Sequence, residues 1–166
     1  MNAMIKLLIS TLVLTMLQFN LFGQSINDAK PMDVKKHSLG FGAGFSTGYG
    51  ISYKYIPTRY GLQLNFSPYM VEDNQTYSTG LTLIYKLVQG EKINLLLYQG
   101  NHYFYRKIEK RYNSNPSITE LWTNGLGFGV EFFSDFFSFS IMTGFARYSK
   151  HGGINLTVET GVYYKF

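Results

Sequence analysis

The sequence predicts an all-β chain in which eight antiparallel strands close into an up-and-down barrel. Three observations predict it. Eight segments alternate between large apolar residues and small or polar ones, the period of a strand with two unlike faces. Clusters of turn-forming residues fall between them: STGY, IPTR, VEDNQT, VQGE, KIEKRYNSNPSI, SD and KHGG. The composition is rich in aromatics (17 %) and glycine (17 residues) and holds only 15 % charged residues, well under the usual quarter.

Each segment follows the same plan. In the first, Leu39, Phe41, Ala43 and Phe45 oppose Ser38, Gly40, Gly42, Gly44 and Ser46; in the second, Tyr49, Ile51, Tyr53 and Tyr55 oppose Gly50, Ser52 and Lys54. The third sets Tyr60, Leu62, Leu64 and Phe66 against Gly61, Gln63, Asn65 and Ser67. The fourth sets Tyr77, Thr79, Leu81, Leu83, Tyr85 and Leu87 against Ser78, Gly80, Thr82 and Lys86, with Ile84 breaking the pattern. The fifth, residues 92–106, shifts its apolar face near Gln99 and Gly100, which predicts a bulge there. In the sixth, Trp122, Leu126, Phe128, Val130 and Phe132 oppose Thr123, Gly125, Gly127, Gly129 and Glu131. The seventh sets Phe137, Phe139, Ile141, Thr143 and Phe145 against Ser138, Ser140, Gly144 and Ala146. The eighth sets Ile154, Leu156, Val158, Thr160, Val162, Tyr164 and Phe166 against Asn155, Thr157, Glu159, Gly161, Tyr163 and Lys165.

Residues 1–23 have another character: one lysine, Lys6, a largely apolar run over 7–17, then a short stretch ending in Gly23. This is the layout of a cleaved signal peptide, and the run is too short for the ~20 residues a membrane-spanning helix needs. The expected division is a signal peptide at 1–23, a periplasmic segment at 24–36 and a barrel domain at 37–166. Cysteine is absent, which excludes disulfides and thiolate metal sites. The net charge of +5 is scattered rather than gathered on one face, so nucleic acid is not expected as a partner.

Alternation alone does not say which face points outward. An eight-stranded barrel has an interior only wide enough for side chains, and the apolar set is far too bulky to fill it. The opposite face, mostly Gly, Ser, Thr and Asn, lacks the quarter to a third of charged residues expected of a surface in water. The apolar face therefore belongs in lipid, and the predicted fold becomes a transmembrane barrel of the outer membrane, in which strands rather than helices satisfy the backbone. Aromatics fall at both ends: Phe45, Tyr49, Tyr77 and Trp122 at the outer rim, and Tyr55, Tyr60, Tyr85, Phe132, Phe137, Tyr164 and Phe166 at the periplasmic rim. Short turns on the periplasmic side and longer connections over 71–76 and 107–118 outside match this orientation.

The leader, the eight segments and the terminal YYKF resemble small eight-stranded outer-membrane barrels of the OmpA and OmpX type. The glycine-aromatic style of LGFGAGFSTGYGISYKY is similar to outer-membrane barrel proteins of Bacteroidota. The resemblance implies that Val162, Tyr164 and Phe166 form the signal read by the barrel-assembly machinery, and that lipid and lipopolysaccharide are the surroundings.

Candidate chemistry is sparse. Lys54, Lys86, Glu131, Glu159 and Lys165 face the lumen and are expected to form a Lys–Glu network that plugs it, since unpaired charges there would cost several kcal/mol each. The alternative is a narrow channel. The inward glycines at 40, 42 and 44 and at 125, 127 and 129 leave room for Tyr98 and Tyr163 or, alternatively, for a small bound ligand. Arg106, Lys107, Lys110 and Arg111, in an expected outer loop, are candidate contacts for lipopolysaccharide phosphates. Of the histidines His37, His102 and His151, His151 lacks the closely spaced His-x-Ser plus Asn arrangement that lipid A deacylases show, and His102 has no serine neighbour on its own strand. No catalytic residue, metal site or cofactor is expected. The expected role is that of a monomeric, structural or surface-interaction barrel, with a lipid A-modifying enzyme as the alternative.

Overall fold

The computed structural model describes residues 35–71, 74–108, 116–149 and 153–166. Eight strands follow one another: β1 (His37–Gly44), β2 (Gly50–Tyr55), β3 (Tyr60–Val71), β4 (Asn74–Gln89), β5 (Ile93–Ile108), β6 (Ser117–Phe133), β7 (Phe137–Tyr148) and β8 (Ile154–Lys165). Each pairs antiparallel with the next, and β8 pairs with β1 to close the barrel. The seam runs from Ser38 opposite Lys165 to Gly44 opposite Glu159, and His37 and Phe166 exchange both backbone hydrogen bonds below it. Closure leaves no edge along the paired length, so every strand finds partners on both sides.

The faces divide as the alternation predicts. Phe41, Leu126, Phe128, Phe145, Leu156 and Val162 point outward and are more than half exposed, whereas Ser52, Gln63, Asn65, Thr82, Thr123, Ser140 and Thr157 are buried inside. The lumen also holds an apolar cluster, Ile84, Leu96, Tyr98 and Met142, with Ile56 packed against it. Ile84 thus keeps the inward face that its position in β4 assigns. Gly129 faces Met142, where an added methyl group would collide with that side chain.

Two local expectations are corrected. β5 runs through Gln99 and Gly100 in unbroken register with β6, and the irregularity lies in β4, between Lys86 and Val88. The apparent face shift arises because β5 turns two apolar residues, Leu96 and Tyr98, into the lumen and two amides, Gln99 and Asn101, toward the outside. The second correction concerns the outer connections: Asn74–Thr76 and Lys107–Ile108 extend strands rather than loops. Hairpin pairing continues to Val71 opposite Asn74 and to Ile108 opposite Ser117, satisfying backbone groups that a loop would leave to water.

The barrel is therefore uneven in height. β1 and β2 have 8 and 6 residues, whereas β3 to β6 have 12, 16, 16 and 17. Pairing of β2 with β3 stops at Ile51 opposite Phe66, and pairing of β6 with β7 stops at Thr123 opposite Tyr148. Above these points β3, β4, β5 and β6 continue as a four-stranded sheet on one side of the mouth.

Candidate functional site

The residues between β1 and β2 do not form an outward loop. Gly48 and Gly50 have φ of 79° and 116°, left-handed values open to glycine, and between them the chain turns down into the lumen. Ser46 and Thr47 are fully buried at its outer end. Tyr49, expected in the outer aromatic rim, instead stacks edge-on against His102, 5.9 Å between ring centres, and lies 6.3 Å from Phe104. The two left-handed glycines break the alternation that would have carried it outward.

Every residue of this inturned loop is held by a side chain from the wall. The Phe45 carbonyl accepts from His102 Nδ1 at 3.0 Å. The two Glu159 carboxylate oxygens accept from the Ser46 N–H (3.1 Å) and hydroxyl (2.7 Å), and from the Thr47 N–H (3.3 Å) and hydroxyl (2.7 Å). Thr157 donates its hydroxyl to the same carboxylate. Asn65 Nδ2 donates to the Thr47 and Gly48 carbonyls, both at 2.9 Å, and the Tyr49 N–H reaches Ser78 Oγ at 3.3 Å. These partners come from β3, β4, β5 and β8. A methyl group on Gly80 would strike the Thr47 carbonyl, one on Gly100 the Ser46 carbonyl, and one on Gly125 the Ser46 side chain. The wall is bare where the loop lies against it, and the loop fills a cross-section that the wall side chains leave open.

His102 has a serine after all. Its Nε2 is 2.9 Å from Ser78 Oγ on the neighbouring strand. Because the Phe45 carbonyl can only accept, Nδ1 of the neutral ring carries the proton and Nε2 accepts from the Ser78 hydroxyl. No local sequence motif reveals the pair, since Gly80, not Ser78, stands opposite His102 and the contact is diagonal across β4 and β5. Both side chains are buried and both hold the inturned loop, His102 at Phe45 and Ser78 at Tyr49.

The five lumen charges do not form one network. Lys54 and Glu131 make an ion pair, 3.1 Å from Nζ to Oε1, in which Lys54 also reaches Ser140 Oγ at 3.3 Å and lies 3.8 Å above the Tyr163 ring. Asn94 donates to the second Glu131 oxygen at 3.1 Å. Lys86 is buried nearby and acts on Glu131 electrostatically, and Lys165 lies 4.6 Å above the Phe133 ring. Glu159 stands apart, surrounded by the loop hydroxyls and N–H groups described above. Neutral donors converging on a buried carboxylate replace the lysine expected there.

Arg106 and Lys107 are neighbours in β5 and so project from opposite faces of the raised sheet; Lys110 and Arg111 lie outside the described residues, as does His151. On the inner face, Tyr69, Thr76, Arg106 and Thr119 stand in one cross-strand row, while Pro68, Tyr77, Tyr105 and Glu120 stand in a row on the outer face. His37 lies at the end of the barrel where β1 begins and β8 ends, with Nδ1 2.6 Å from the Tyr53 hydroxyl and its ring stacked on Tyr55 and Phe166. Among the described residues no group of acidic, histidine or cysteine side chains is placed to hold a metal ion.

No protein-family model and no curated protein matches the sequence. Solved structures do resemble the fold. The N-terminal β-barrel domain of Pseudomonas aeruginosa OprF superposes with a TM-score of 0.53 at 18 % identity, covering 78 % of this chain and 95 % of that one. Neisserial surface protein A superposes at 0.51 with 15 % identity, covering 78 % and 94 %. At such identities the likeness establishes the fold: an eight-stranded, closed, antiparallel barrel of the small outer-membrane type.

Proposed function

We propose that the protein is an outer-membrane barrel with a sealed lumen, whose working surface is the sheet raised above the mouth. The inturned loop carries this reading, because all five residues from Phe45 to Tyr49 are bonded by wall side chains across the bore. The apolar exterior supports the membrane location: soluble monomers rarely expose contiguous apolar patches beyond a few hundred Å², and here outward apolar residues encircle the barrel. Val162 and Tyr164 on the outer face of β8, with Phe166 just beyond, are in this reading the residues that an assembly factor would recognise, and their exposure supports it. In planar bilayers the refolded protein is expected to give no stepwise conductance, and in cells to fractionate with the outer membrane and migrate heat-modifiably. Conductance steps from the unmodified chain would remove the sealed-lumen reading.

The raised sheet supplies the interaction role. Its β6 edge, Ser117–Leu121, has no strand partner on the β7 side among the described residues, so its unpaired backbone groups suit an added extended peptide. The β3 edge is guarded by Pro68, which has no N–H to offer.

The Ser78–His102 contact is the observation that an enzymatic reading would use. Its two groups are committed to the loop and shut away from the bilayer, and they are tethers in this proposal. Ser78→Ala and His102→Ala are expected to leave the mass spectrum of host lipid A unchanged. A shift of acyl-chain mass seen with the unmodified protein and lost in either variant would sink the tether assignment.

A further inference from the structure

Outside the lumen and below the raised sheet, the outward surface of the described residues is mostly apolar, aromatic or threonine, and a polar stripe interrupts it. Asn101 on β5 stands opposite Asn124 on β6, and Asn124 opposite Arg147 on β7, so three polar side chains form one outward row. Gln99, two residues along β5, extends the stripe: Asn101 Nδ2 donates to Gln99 Oε1 at 3.2 Å, and Gln99 Nε2 donates to the Gly100 carbonyl at 3.4 Å. Tyr103 and Trp122 lie directly above, their rings 4.9 Å apart, and mark the level of the outer interface. Leu83, Leu126 and Phe145 continue the apolar surface below. At ~3.3 Å per residue and a tilt of ~40°, Asn101 lies ~5 Å and Gln99 ~10 Å closer to the bilayer centre than Tyr103. Arg147 is exposed at the upper end and has neither an ion pair nor a hydrogen bond among the described residues.

Hydrocarbon tails cannot satisfy this surface. Asn101 and Gln99 satisfy part of their amides on each other and on the Gly100 carbonyl, whereas the Asn124 side chain has no such partner among the described residues, and plain acyl chains offer it none. A lipid phosphate matches Arg147, whose planar guanidinium binds phosphate in bidentate fashion. A phosphate cannot follow the stripe down to Asn101, however, and the ester carbonyls of an ordinary phospholipid only accept hydrogen bonds. Asn124 and Asn101 both donate and accept, which suits amide or hydroxyl groups lying at the roots of acyl chains just beneath a phosphate. We propose that Arg147, Asn124 and Asn101 form a binding site for a phosphorylated outer-leaflet lipid whose acyl chains carry amide or hydroxyl groups near the headgroup. The proposal rests on the membrane location argued above, and its chemistry is independent of the sealed lumen.

The test uses the full mature chain refolded in neutral detergent, with purified lipid A bearing two phosphates and amide-linked hydroxyacyl chains as one probe and phosphatidylglycerol as the other. Native mass spectrometry reads the lipid retained. The unmodified chain is expected to retain lipid A about tenfold more readily than phosphatidylglycerol. Arg147→Gln should cut retention of both lipids, whereas Asn101→Leu with Asn124→Leu should cut lipid A about tenfold and leave phosphatidylglycerol unchanged. Equal retention of the two lipids by the unmodified chain overturns the proposal, and that comparison decides even if a variant fails to refold. It is also overturned if the double asparagine variant holds lipid A normally, or if the stripe variants change the yield of a cross-linked dimer instead, which would assign the stripe to a second copy. Failure of the unmodified chain to enter lipid at all would sink the membrane location itself, a separate result read from its migration on a gel.

Discussion

Replacing Glu159 by leucine is expected to destabilise the refolded barrel by about 3–5 kcal/mol and to release the inturned loop. The carboxylate accepts from two backbone N–H groups, at Ser46 and Thr47, and from three hydroxyls. Hydroxyls can rotate toward other acceptors, but the two N–H groups are fixed by the backbone, and each buried unsatisfied donor costs about 1–3 kcal/mol. Leucine also carries bulk into the space beside Gly44, where the carboxylate lies close to the backbone. Glu159→Gln should fall between, since it keeps one acceptor but sets an NH2 donor against N–H donors. Urea titration in micelles measures the stability. Chymotrypsin reports the loop, because cleavage after Phe45 or Tyr49 requires residues 45–49 to leave the lumen. An unchanged urea midpoint with continued protease resistance in Glu159→Leu would show that the loop is held by shape alone.

Removing Lys54 is expected to cost about as much, by another route. Lys54→Met leaves Glu131 in the lumen with Asn94 as its remaining hydrogen-bond partner among the bonds described, and breaking a buried pair from one side typically costs about 3–5 kcal/mol. The cost lies in the stranded charge, so removing the second partner should recover much of it. Lys54→Met with Glu131→Leu is expected to unfold within about 1–2 kcal/mol of the parent, the pattern seen when buried pairs give way to apolar residues of similar volume. Methionine can still lie on Tyr163, which Lys54 now covers at 3.8 Å. If the double variant is no more stable than Lys54→Met alone, the ion pair is not the unit that stabilises this layer.

Much of the architecture is legible in the amino-acid pattern. β8 shows why: from Leu156 to Lys165 each side chain takes the face its position assigns, because successive strand residues point in opposite directions and the two faces carry unlike residues. The same rule locates all eight strands and their order, which the structural likenesses support. It misleads in β5, where Leu96 and Tyr98 fill the lumen from inside and two amides face outward. Alternation reports a contrast between faces and says nothing when both faces carry mixed residues. Strand ends are also poorly marked, since Asn, Gln and Lys near Asn74 and Ile108 read as loop until the hairpin supplies a partner strand.

The candidate site is legible only in its parts. Lys54 and Glu131 are both placed inward by the alternation, yet so is Glu159, and nothing local to these residues says that only the first two meet. The inturned loop is hidden in STGYG, which reads as an ordinary outer turn. Its direction depends on left-handed glycines at 48 and 50 and on space kept clear by Gly80, Gly100 and Gly125, on three strands that take their places around the loop only when the barrel closes. Ser78 and His102 likewise become partners through the register of β4 and β5, 24 residues apart in the chain. What the sequence by itself determined was the strand set and the face most residues take, because those follow from a two-residue period and the solvent on either side. The tertiary structure alone decided how the lumen is sealed, because that depends on groups far apart in sequence meeting at fixed heights on a closed wall.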